Sequence, residues 1–536
     1  MVKIAGRSRR SVLQALAGLP ALAVSACAPL AKPARSSPTV SMPKLVDAHC
    51  HLFNVTDLPV WSFVLKANLR AVYSRASAPA RVVLERAFRN IERTLLVGVP
   101  GAAQEAQQIR FGLKSLIRVP ALSLDQLSDL RTLISQIRAR FAPIAEAPSD
   151  RKFSCERPPR GPSPDPKSFL GWLVSLRSTR ADMAARLTRA HVRSGYTPAL
   201  LCPALVDFSN WLDEAPQSPL PDQVRVAGAL SRRPELPAIH GYVAFDPLRH
   251  ALIRAGKKPV GGDWDPIGLV RQALTQEGFL GVKLYPPMGF RPSGNAGADQ
   301  GYTTDIERKF GSREATGRAL EDALEELWRT CDELDAPILA HAANSNYTTE
   351  GFGRRADPAF WLPVLKAHPR LRVMLGHFGR FGTLSDGQAC EKPDKGSIQF
   401  AATWEAAIGR HLQAEPASGL FADISYFSEM FDSASRARSI ELLCEYRSFD
   451  RGMDHLVFGS DWVMLGVEKR FREGSGYTAN VVSVLRDARF TEQEIDKVMI
   501  RNALRFLGLD GDTIARRRIL TFYAQNGLQP DRLPGA

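Results

Sequence analysis

The sequence lacks most of the patterns that mark common cofactor and catalytic sites. Its 536 residues include only seven cysteines and no CxxC pair, so their spacing supports neither a disulfide framework nor a cysteine metal site. No GxGxxG and no Gly-rich loop ending in Lys-Ser/Thr is present, which disfavours nucleotide cofactors. The absence of a GxSxG elbow argues against a serine hydrolase. The cysteines after Cys27 are predicted to be mostly buried free thiols.

The charge balance is basic, with 70 Lys and Arg against 56 Asp and Glu and a formal net charge of +14. The basic blocks are short and none is interleaved with aromatic residues, so nucleic acid is not an expected partner. A basic surface favours a small-molecule substrate, and specifically an anionic one. The composition of 44% hydrophobic and 24% charged residues is ordinary for a globular protein and argues against disorder or a membrane bundle.

The first 26 residues are typical of an export signal. They carry basic residues and no acid ahead of an apolar stretch at 12–26 that is too short to span a bilayer comfortably. The SRR sequence at 8–10 resembles a twin-arginine signal, and VSAC at 24–27 resembles a bacterial lipoprotein cleavage site whose Cys27 becomes lipid-modified. Residues 27–43 are predicted to form a flexible tether. We expect an exported periplasmic lipoprotein that contacts the membrane only through Cys27; an uncleaved anchor or an ordinary signal is the alternative.

From residue 44 onward, eight short apolar runs alternate with helical patterns, one of them over Arg318–Leu334. Nearly continuous apolar runs are typical of parallel strands covered on both faces. Eight βα units predict an α/β fold of the (β/α)8 TIM-barrel class, with functional groups at the C-terminal ends of the strands. The predicted strands are Lys44–His49, Ala199–Phe208, Ile239–Phe245, Phe279–Tyr285, Pro337–Ala342, Leu371–His377, Leu420–Ser425 and His455–Ser460.

The connection between the first two strands is far longer than a barrel loop needs. We predict a large helical insertion subdomain over residues 54–197, either a lid or partner surface or an inert packing element. The barrel is predicted over 44–53 and 198–510, followed by a C-terminal extension at 511–536. Two apolar helix faces support the insertion: Leu84, Ala87, Phe88, Ile91 and Leu95, and then Leu127, Leu130, Ile134 and Ile137.

Histidines and an aspartate fall at the ends of several predicted strands. His49 and His51 stand two residues apart at the end of the first strand, so both can face the barrel interior and chelate one cation. His341 lies in the fifth strand, His377 ends the sixth, and Asp461 directly follows the eighth. Imidazole nitrogens and carboxylate oxygens suit Zn²⁺ or another borderline divalent ion. The strand ends therefore predict a metal site.

The motifs VDAHCH, GVKLYP, ILAHA, LGHFG and FGSDW together resemble the amidohydrolase superfamily, in particular its amidohydrolase family 2 branch. The resemblance extends over residues 44–509 without the insertion. It implies that His49, His51, His341 and Asp461 are metal ligands, and that Asp461 also accepts a proton from the metal-bound water.

The same resemblance implies a further role for two residues. His377 would be either a second-metal ligand or an acid or polarising group in members with one metal. Lys283 occupies the position where binuclear members carry a carboxylated bridging lysine; a solvated or substrate-pairing lysine is the alternative. One divalent ion, most simply zinc, is expected, and two ions are the alternative.

This chemistry predicts a metal-dependent hydrolase in which metal-activated water attacks an amide, a lactone or another ester. The first alternative is a metal-dependent decarboxylase of an aromatic or enol carboxylic acid on the same scaffold. The second is an exported binding protein without turnover. Arg291 and Arg380 are candidates to pair with a substrate carboxylate, and Trp462 is a candidate wall of the pocket; surface positions for the arginines and core packing for Trp462 are the alternatives.

Overall fold

The computed structural model describes residues 42–536 except 69–72, 74–75, 113–118, 134, 136–165, 298–300, 344, 350, 381–402, 469–475 and 536. The predicted signal, tether and lipidation site at Cys27 lie outside the described residues. Within the described part of the chain, no helix combines the length and the apolar character needed to cross a membrane.

Nine short parallel strands among the described residues form the centre of the fold. The first three pair in the order β1-β2-β3 and the other six in the order β4-β5-β6-β7-β8-β9. Their burial is nearly complete, as expected of a parallel sheet covered on its outer face by helices. The strands are β1 Lys44–Cys50, β2 Thr197–Pro203, β3 Ala238–Ile239, β4 Tyr242–Ala244, β5 Gly281–Leu284, β6 Ile338–His341, β7 Val373–Gly376, β8 Leu420–Asp423 and β9 Leu456–Val457.

Backbone contacts join the two sheets on both sides. A parallel bridge between Ala204 and Tyr242 connects the end of β2 to β4. On the other side, the N–H of Ala48 in β1 donates to the carbonyl of Phe458, directly after β9, at 3.2 Å. The N–H of Ser460 donates in turn to the carbonyl of His49 at 3.1 Å. The strands therefore follow one another around a TIM barrel, and the predicted fold class is confirmed.

The third predicted strand is interrupted. It was expected to run unbroken over Ile239–Phe245, but the structure divides it into β3 and β4, separated by His240 and Gly241. A Cβ on Gly241 would lie only 2.2 Å from the carbonyl oxygen of Pro203, so only glycine permits this close approach of the two backbones. Together β3 and β4 occupy one position of the barrel, which gives the eight positions expected.

The barrel interior is filled by one cluster of buried side chains and closed at its N-terminal end. Helix residues Phe506, Ile519, Phe522 and Tyr523 pack against this cluster and cover the lower opening. They belong to the two last helices of the chain. The strands contribute Val46, Ala48, Leu200, Cys202, Ala238, Tyr242, Leu339, Met374, Phe421 and Val457.

Helices surround the barrel in the usual alternation with the strands. The helix predicted from Arg318 begins earlier, at Arg313, because the Ser312 hydroxyl caps it by accepting the N–H of Ala315 at 3.1 Å. The helices after β2 are α5 Leu220–Ser231, α6 Pro247–Arg254, α7 Pro266–Gln276, α8 Thr304–Phe310, α9 Arg313–Leu334, α10 Leu362–Ala367, α11 Trp404–Ala414, α12 Ser433–Phe449, α13 Tyr477–Asp487, α14 Glu492–Asp496, α15 Asn502–Leu507 and α16 Ile514–Gln525.

The segment between β1 and β2 is helical, as predicted. It contains α1 Ala78–Leu96, α2 Ala102–Arg110, α3 Pro166–Ser175 and α4 Arg180–Arg193. The buried side chains of α1 are the five of the first predicted apolar face. In the second predicted face Leu130 is buried, whereas Ile134 and Ile137 lie outside the described residues.

Candidate metal centre

The two histidines of the HxH sequence reach the barrel interior because of a β-bulge. Val46 and Ala48 of β1 belong to the interior cluster, so strict alternation would turn His49 outward. Asp47 pairs with Leu201 of β2 and Cys50 with Pro203, so β1 has one residue more than β2 in this stretch. A bulge of this kind re-aims the side chains that follow it. Both histidines then face the interior, and Cys50 packs outward in the surrounding core.

His49 is fully buried and has partners on both ring nitrogens. Its Nδ1 lies 2.8 Å from the Asp423 carboxylate, and Lys283 Nζ lies 3.1 Å from its Nε2. The Nε2 also lies 3.8 Å from Oδ1 of Asp461. Burial lowers the pKa of His49, and the nearby Lys283 lowers it further. The ring therefore presents Nε2 toward Lys283 and Asp461.

His51 and Asp461 face each other across a gap that favours a cation. The Nδ1 of His51 lies 2.8 Å from the carbonyl oxygen of Ala204, which can only accept, so Nδ1 carries a hydrogen. Its Nε2 lies 3.0 Å from Oδ1 of Asp461. Burial raises the pKa of Asp461, but the hydrogen bond with His51 and the neighbouring histidines lower it more, so the net pKa is below its usual value. An imidazole nitrogen and a carboxylate oxygen at this distance can bind one cation.

Lys283 lies inside the barrel beside this pair. It is only 2% exposed, which is inconsistent with the solvated lysine considered from the sequence. Burial lowers the pKa of Lys283 to about 8, against the opposing effect of Asp423 and Asp461. The residue also lines a cavity at the C-terminal ends of the strands, together with Val206, Trp211, Asp246, Tyr285 and Phe290. Lys283 therefore separates the histidine cluster from an adjacent cavity.

His341 and His377 form a second pair next to His49. Nδ1 of His341 lies 3.1 Å from Nε2 of His377, and the His377 and His49 ring centroids are 5.0 Å apart. The His341 ring also stacks on Tyr285 at 4.1 Å. Burial is the main reason that the pKa of His377 falls to about 4; Asp461 opposes this effect and His49 adds to it, and the ring is neutral at neutral pH.

The backbone at three of these positions has left-handed conformation. His377 has φ of 69°, Phe378 has φ of 43° and Asp461 has φ of 51°. Non-glycine residues rarely adopt this conformation, and it persists only where the surroundings hold it in place. His377 and Phe378 directly follow β7, and Asp461 lies four residues after the end of β9. The turns direct both side chains across the barrel mouth.

The sequence reading missed Asp423, the last residue of β8. Its carboxylate is fully buried and accepts the backbone N–H groups of His377 and Ser425, each at 2.9 Å, in addition to its contact with His49. Burial raises the pKa of Asp423, but His49 and the hydrogen bonds lower it far more, so the net pKa is well below its usual value. The available signal was a charged residue in the otherwise apolar sequence LFADIS.

Arg291 and Trp462, two of the three candidate substrate-binding residues, pack against different side chains. The Arg291 guanidinium stacks on the ring of Phe360 at 4.6 Å. Trp462 is 3% exposed, and the guanidinium of Arg186, from the insertion, lies 5.5 Å from its ring centroid. The backbone of Arg380 ends the turn that begins at His377, and its side chain lies outside what the structure describes.

The donor atoms fit a divalent ion. His49, His51 and Asp461 form a buried group whose ligand atoms all lie within 4.8 Å of one another. Two imidazole nitrogens and a carboxylate oxygen are the usual protein ligands of a catalytic zinc ion, which keeps a further position for water or substrate. A second group, His49, His377 and Asp423, satisfies the same distance limit. It has His49 in common with the first group, so the two groups do not form two independent sites. The described residues therefore favour one ion at the first group.

A comparison with protein families matches residues 265–509 to a family described as Amidohydrolase. The matched segment contains Lys283, His341, His377 and Asp461, and it begins after His49 and His51. Among curated proteins, none matches this chain.

Several solved structures are similar to this chain at low sequence identity. A putative metal-dependent hydrolase from Lactobacillus casei has 12% identity and a TM-score of 0.39, covering 90% of this chain and 97% of its own. The 5-carboxyvanillate decarboxylase from Sphingomonas paucimobilis has 14% identity and a TM-score of 0.32, covering 70% of this chain and 96% of its own. The 4-oxalomesaconate hydratase from Rhodopseudomonas palustris has 13% identity and a TM-score of 0.35, covering 74% and 94%.

Proposed function

Because residues 265–509 match a family described as Amidohydrolase, we propose that this chain is a metal-dependent hydrolase that directs water at a carbonyl carbon of a small molecule. The observation that carries the proposal is the convergence of His49, His51 and Asp461 in one buried group beside Lys283. Amides, lactones and other esters are the proposed substrate classes. The basic net charge of +14 favours anionic members of these classes.

Under this proposal His49, His51 and Asp461 would hold the ion, and His341 would be a fourth ligand. A divalent ion supplies a Lewis acid there and lowers the pKa of bound water toward about 7. We propose zinc as the resident ion, because this donor set is typical of it.

Asp461 is the proposed general base. Its pKa lies below the usual value, so the carboxylate is ionised at neutral pH and can orient a water molecule and accept its proton. His377 is neutral at the same pH because its pKa is about 4. We therefore assign His377 a hydrogen-bonding role that orients His341 or polarises the carbonyl group, and not that of a cationic acid.

Lys283 is proposed to pair with an anionic group of the substrate. Its ammonium group lies at the boundary between His49 and the cavity, and burial strengthens the attraction of a cation for an anion. Trp211, Tyr285 and Phe290 give the same cavity an aromatic lining. An aromatic carboxylate matches that lining and the lysine, so decarboxylation of such an acid is the second candidate function.

Metal analysis and the Asp461→Asn variant test the proposal together. We expect about one equivalent of zinc per chain after metal supplementation, since the donors describe one ion site. Asp461→Asn is expected to remain folded and to lose turnover by at least about 100-fold, because the amide cannot accept the proton. Asp512→Asn, an identical change at a residue whose side chain is 83% exposed, is the matched control and should keep full activity.

A substrate panel separates the candidate reactions. Lactones, amides, esters and aromatic acids are incubated in ¹⁸O-labelled water while CO₂ is measured. Incorporation of ¹⁸O into product without CO₂ supports hydrolysis, and CO₂ without incorporation supports the decarboxylase. Less than about 0.1 equivalent of metal, together with no reaction, would instead support an exported binding protein without turnover.

We also propose that the protein is exported to the periplasm and anchored by a lipid on Cys27. The proposal rests on the SRR and VSAC sequences near the N-terminus. Its test is cell fractionation with a radiolabelled fatty acid: Cys27→Ser should lose the label and leave the membrane fraction. Retention of label in this variant would contradict the lipid site.

A further inference from the structure

Asp423 is not one of the proposed metal ligands, but its carboxylate contacts two histidines of the metal centre. One carboxylate oxygen, Oδ2, lies 2.8 Å from Nδ1 of His49. The other, Oδ1, accepts the backbone N–H groups of His377 and Ser425, both at 2.9 Å. The carboxylate therefore connects β1, β7 and β8, and none of its surface is exposed.

The contact with His49 decides which ring nitrogen carries the hydrogen. An ionised carboxylate only accepts hydrogen bonds, so Nδ1 of His49 must be the donor. In the neutral ring, Nε2 is then left with a lone pair. This atom accepts from Lys283 Nζ at 3.1 Å and lies 3.8 Å from Asp461. The Asp423 contact thus presents to the metal centre the nitrogen that a cation can bind.

The contact with His377 acts on the backbone. His377 and Phe378 have φ of 69° and 43°, conformations that a non-glycine residue keeps only under external restraint. The hydrogen bond from the His377 N–H to Asp423 is a restraint at the first of these residues. Ser425 adds another, because its hydroxyl lies 3.0 Å from Nδ1 of His49 and 2.9 Å from Nδ1 of His377.

We propose that Asp423 is a positioning residue of the metal centre, which fixes His49 in its Nδ1–H form and holds the turn that carries His377. The inference rests on the proposed function, since it assigns His49 Nε2 to the ion. Carboxylates that accept the second N–H of a metal-binding histidine commonly raise metal affinity 10- to 100-fold. Asp423 itself does not touch the substrate.

The chain contains a matched control for this residue. Asp450 has the same kind of contacts at the opposite end of the barrel, with Nδ1 of His455 at 3.2 Å and the backbone N–H groups of Asp454 and His455 at 3.1 and 3.0 Å. Asp450→Asn therefore reproduces the loss of a buried carboxylate next to a histidine without altering the metal centre.

The first experiment measures zinc affinity by competition with a chromogenic chelator. We expect Asp423→Asn to weaken zinc binding 10- to 100-fold, while Asp450→Asn leaves it within about twofold of wild type. Thermal unfolding of both metal-free variants accompanies the titration. Equal zinc affinity in wild type and Asp423→Asn would overturn the proposal, as would an equal loss in both variants.

The second experiment reads the histidine directly and needs no variant of Asp423. Long-range ¹H–¹⁵N spectra of metal-free protein labelled in histidine report which nitrogen is protonated, and a His49→Gln sample assigns the signal. The expected result is Nδ1–H in wild type, and Nε2–H in wild type would overturn the inference. If no metal binds at all, the proposed function fails while this measurement still decides the role of Asp423.

Discussion

Two buried histidines with the same low pKa lie at opposite ends of the barrel. Burial lowers the pKa to about 4 for both His377, at the metal centre, and His240, at the closed end. His240 donates from Nδ1 to the carbonyl of Gly278 at 2.7 Å, and its Nε2 lies 2.9 Å from the hydroxyl of Tyr523. The neutral ring therefore has a partner for each nitrogen, with the Tyr523 hydroxyl donating to Nε2, and protonation of the buried ring would require that hydroxyl to accept instead.

His240 should make stability fall as the pH is lowered. Its pKa is depressed in the folded protein from 6.5 to about 4, so its contribution is complete above pH 6.5 and is lost as the pH falls toward 4. Between pH 7.5 and pH 5 the loss amounts to roughly 2 kcal/mol. Urea unfolding of wild type and His240→Asn at both pH values measures it. Parallel pH dependence in the two proteins would contradict the assignment.

The sequence identified six of the seven residues described at the metal centre, all except Asp423, but the orientation of their side chains depends on partners distant in the chain. The HxH spacing suggested that His49 and His51 share a face, and yet both reach the interior only through the bulge against β2. Asp423 was not recognised because its partner His49 lies 374 residues away in the chain. A charge in an apolar strand shows that a partner exists; only the fold shows which residue it is.

A buried ion cluster joins two helices of the insertion to its first residues, which follow β1. Arg180, at the start of α4, donates to Asp57 and, at 2.7 Å, to Glu105 of α2. The same guanidinium reaches Thr56 at 3.2 Å. Asp57 lies in the loop that follows β1, so one arginine connects two insertion helices with the segment directly after His51. Burial raises the pKa of Glu105, although Arg180 opposes this effect.

Arg180→Met should be strongly destabilising. It leaves two buried carboxylates without their cation, which typically costs about 3–5 kcal/mol. The control is Arg271→Met, which removes an exposed ion pair with Glu333 on the barrel helices and should cost less than about 1 kcal/mol. Urea unfolding midpoints of the two variants give the comparison. A cost for Arg180→Met no greater than that of the control would show that the cluster does not stabilise the insertion.

The apolar periodicity of the sequence predicted the buried faces of helices more accurately than the residues at which the helices begin. The apolar face of α1 was predicted residue by residue, because a 3.6-residue repeat directly reports the buried side of a helix. The start of α9 was missed by five residues, since it depends on the cap at Ser312 and not on apolar spacing. The second strand was expected to reach Phe208 but ends at Pro203, and Val206, beyond that end, lines the cavity beside Lys283.

The two ends of the barrel have separate roles. The metal centre lies at the C-terminal ends of the strands, whereas α15 and α16 close the other end. Arg518 of α16 supports this closure, because it donates to the backbone carbonyls of Leu334, Leu274 and Leu280 at 2.9, 2.7 and 3.1 Å. Burial lowers the pKa of Arg518 to about 10. In this fold, residues at the N-terminal end usually serve stability and those at the C-terminal end catalysis.

Phe522→Ala tests this separation. The Phe522 ring is 1% exposed and packs so closely on Gly278 that an added Cβ there would lie 2.7 Å from it. Truncation should cost about 3–5 kcal/mol of unfolding free energy and leave zinc affinity unchanged. Urea unfolding and chelator competition on the same sample measure both quantities. A parallel loss of zinc affinity would mean that the two ends are energetically coupled.

The closure of the barrel through Ala48 and Phe458 also bears on biosynthesis. Asp47 accepts hydrogen bonds from Ser460, which lies 413 residues later in the chain. The surroundings of His49 are therefore completed only after β9 and the residues that follow it have been synthesised. A nascent chain halted before Leu456 would have His49 and His51 but no Asp461 and no closed ring of strands. Metal loading should therefore follow the synthesis of Asp461, when the segment after β9 pairs with β1.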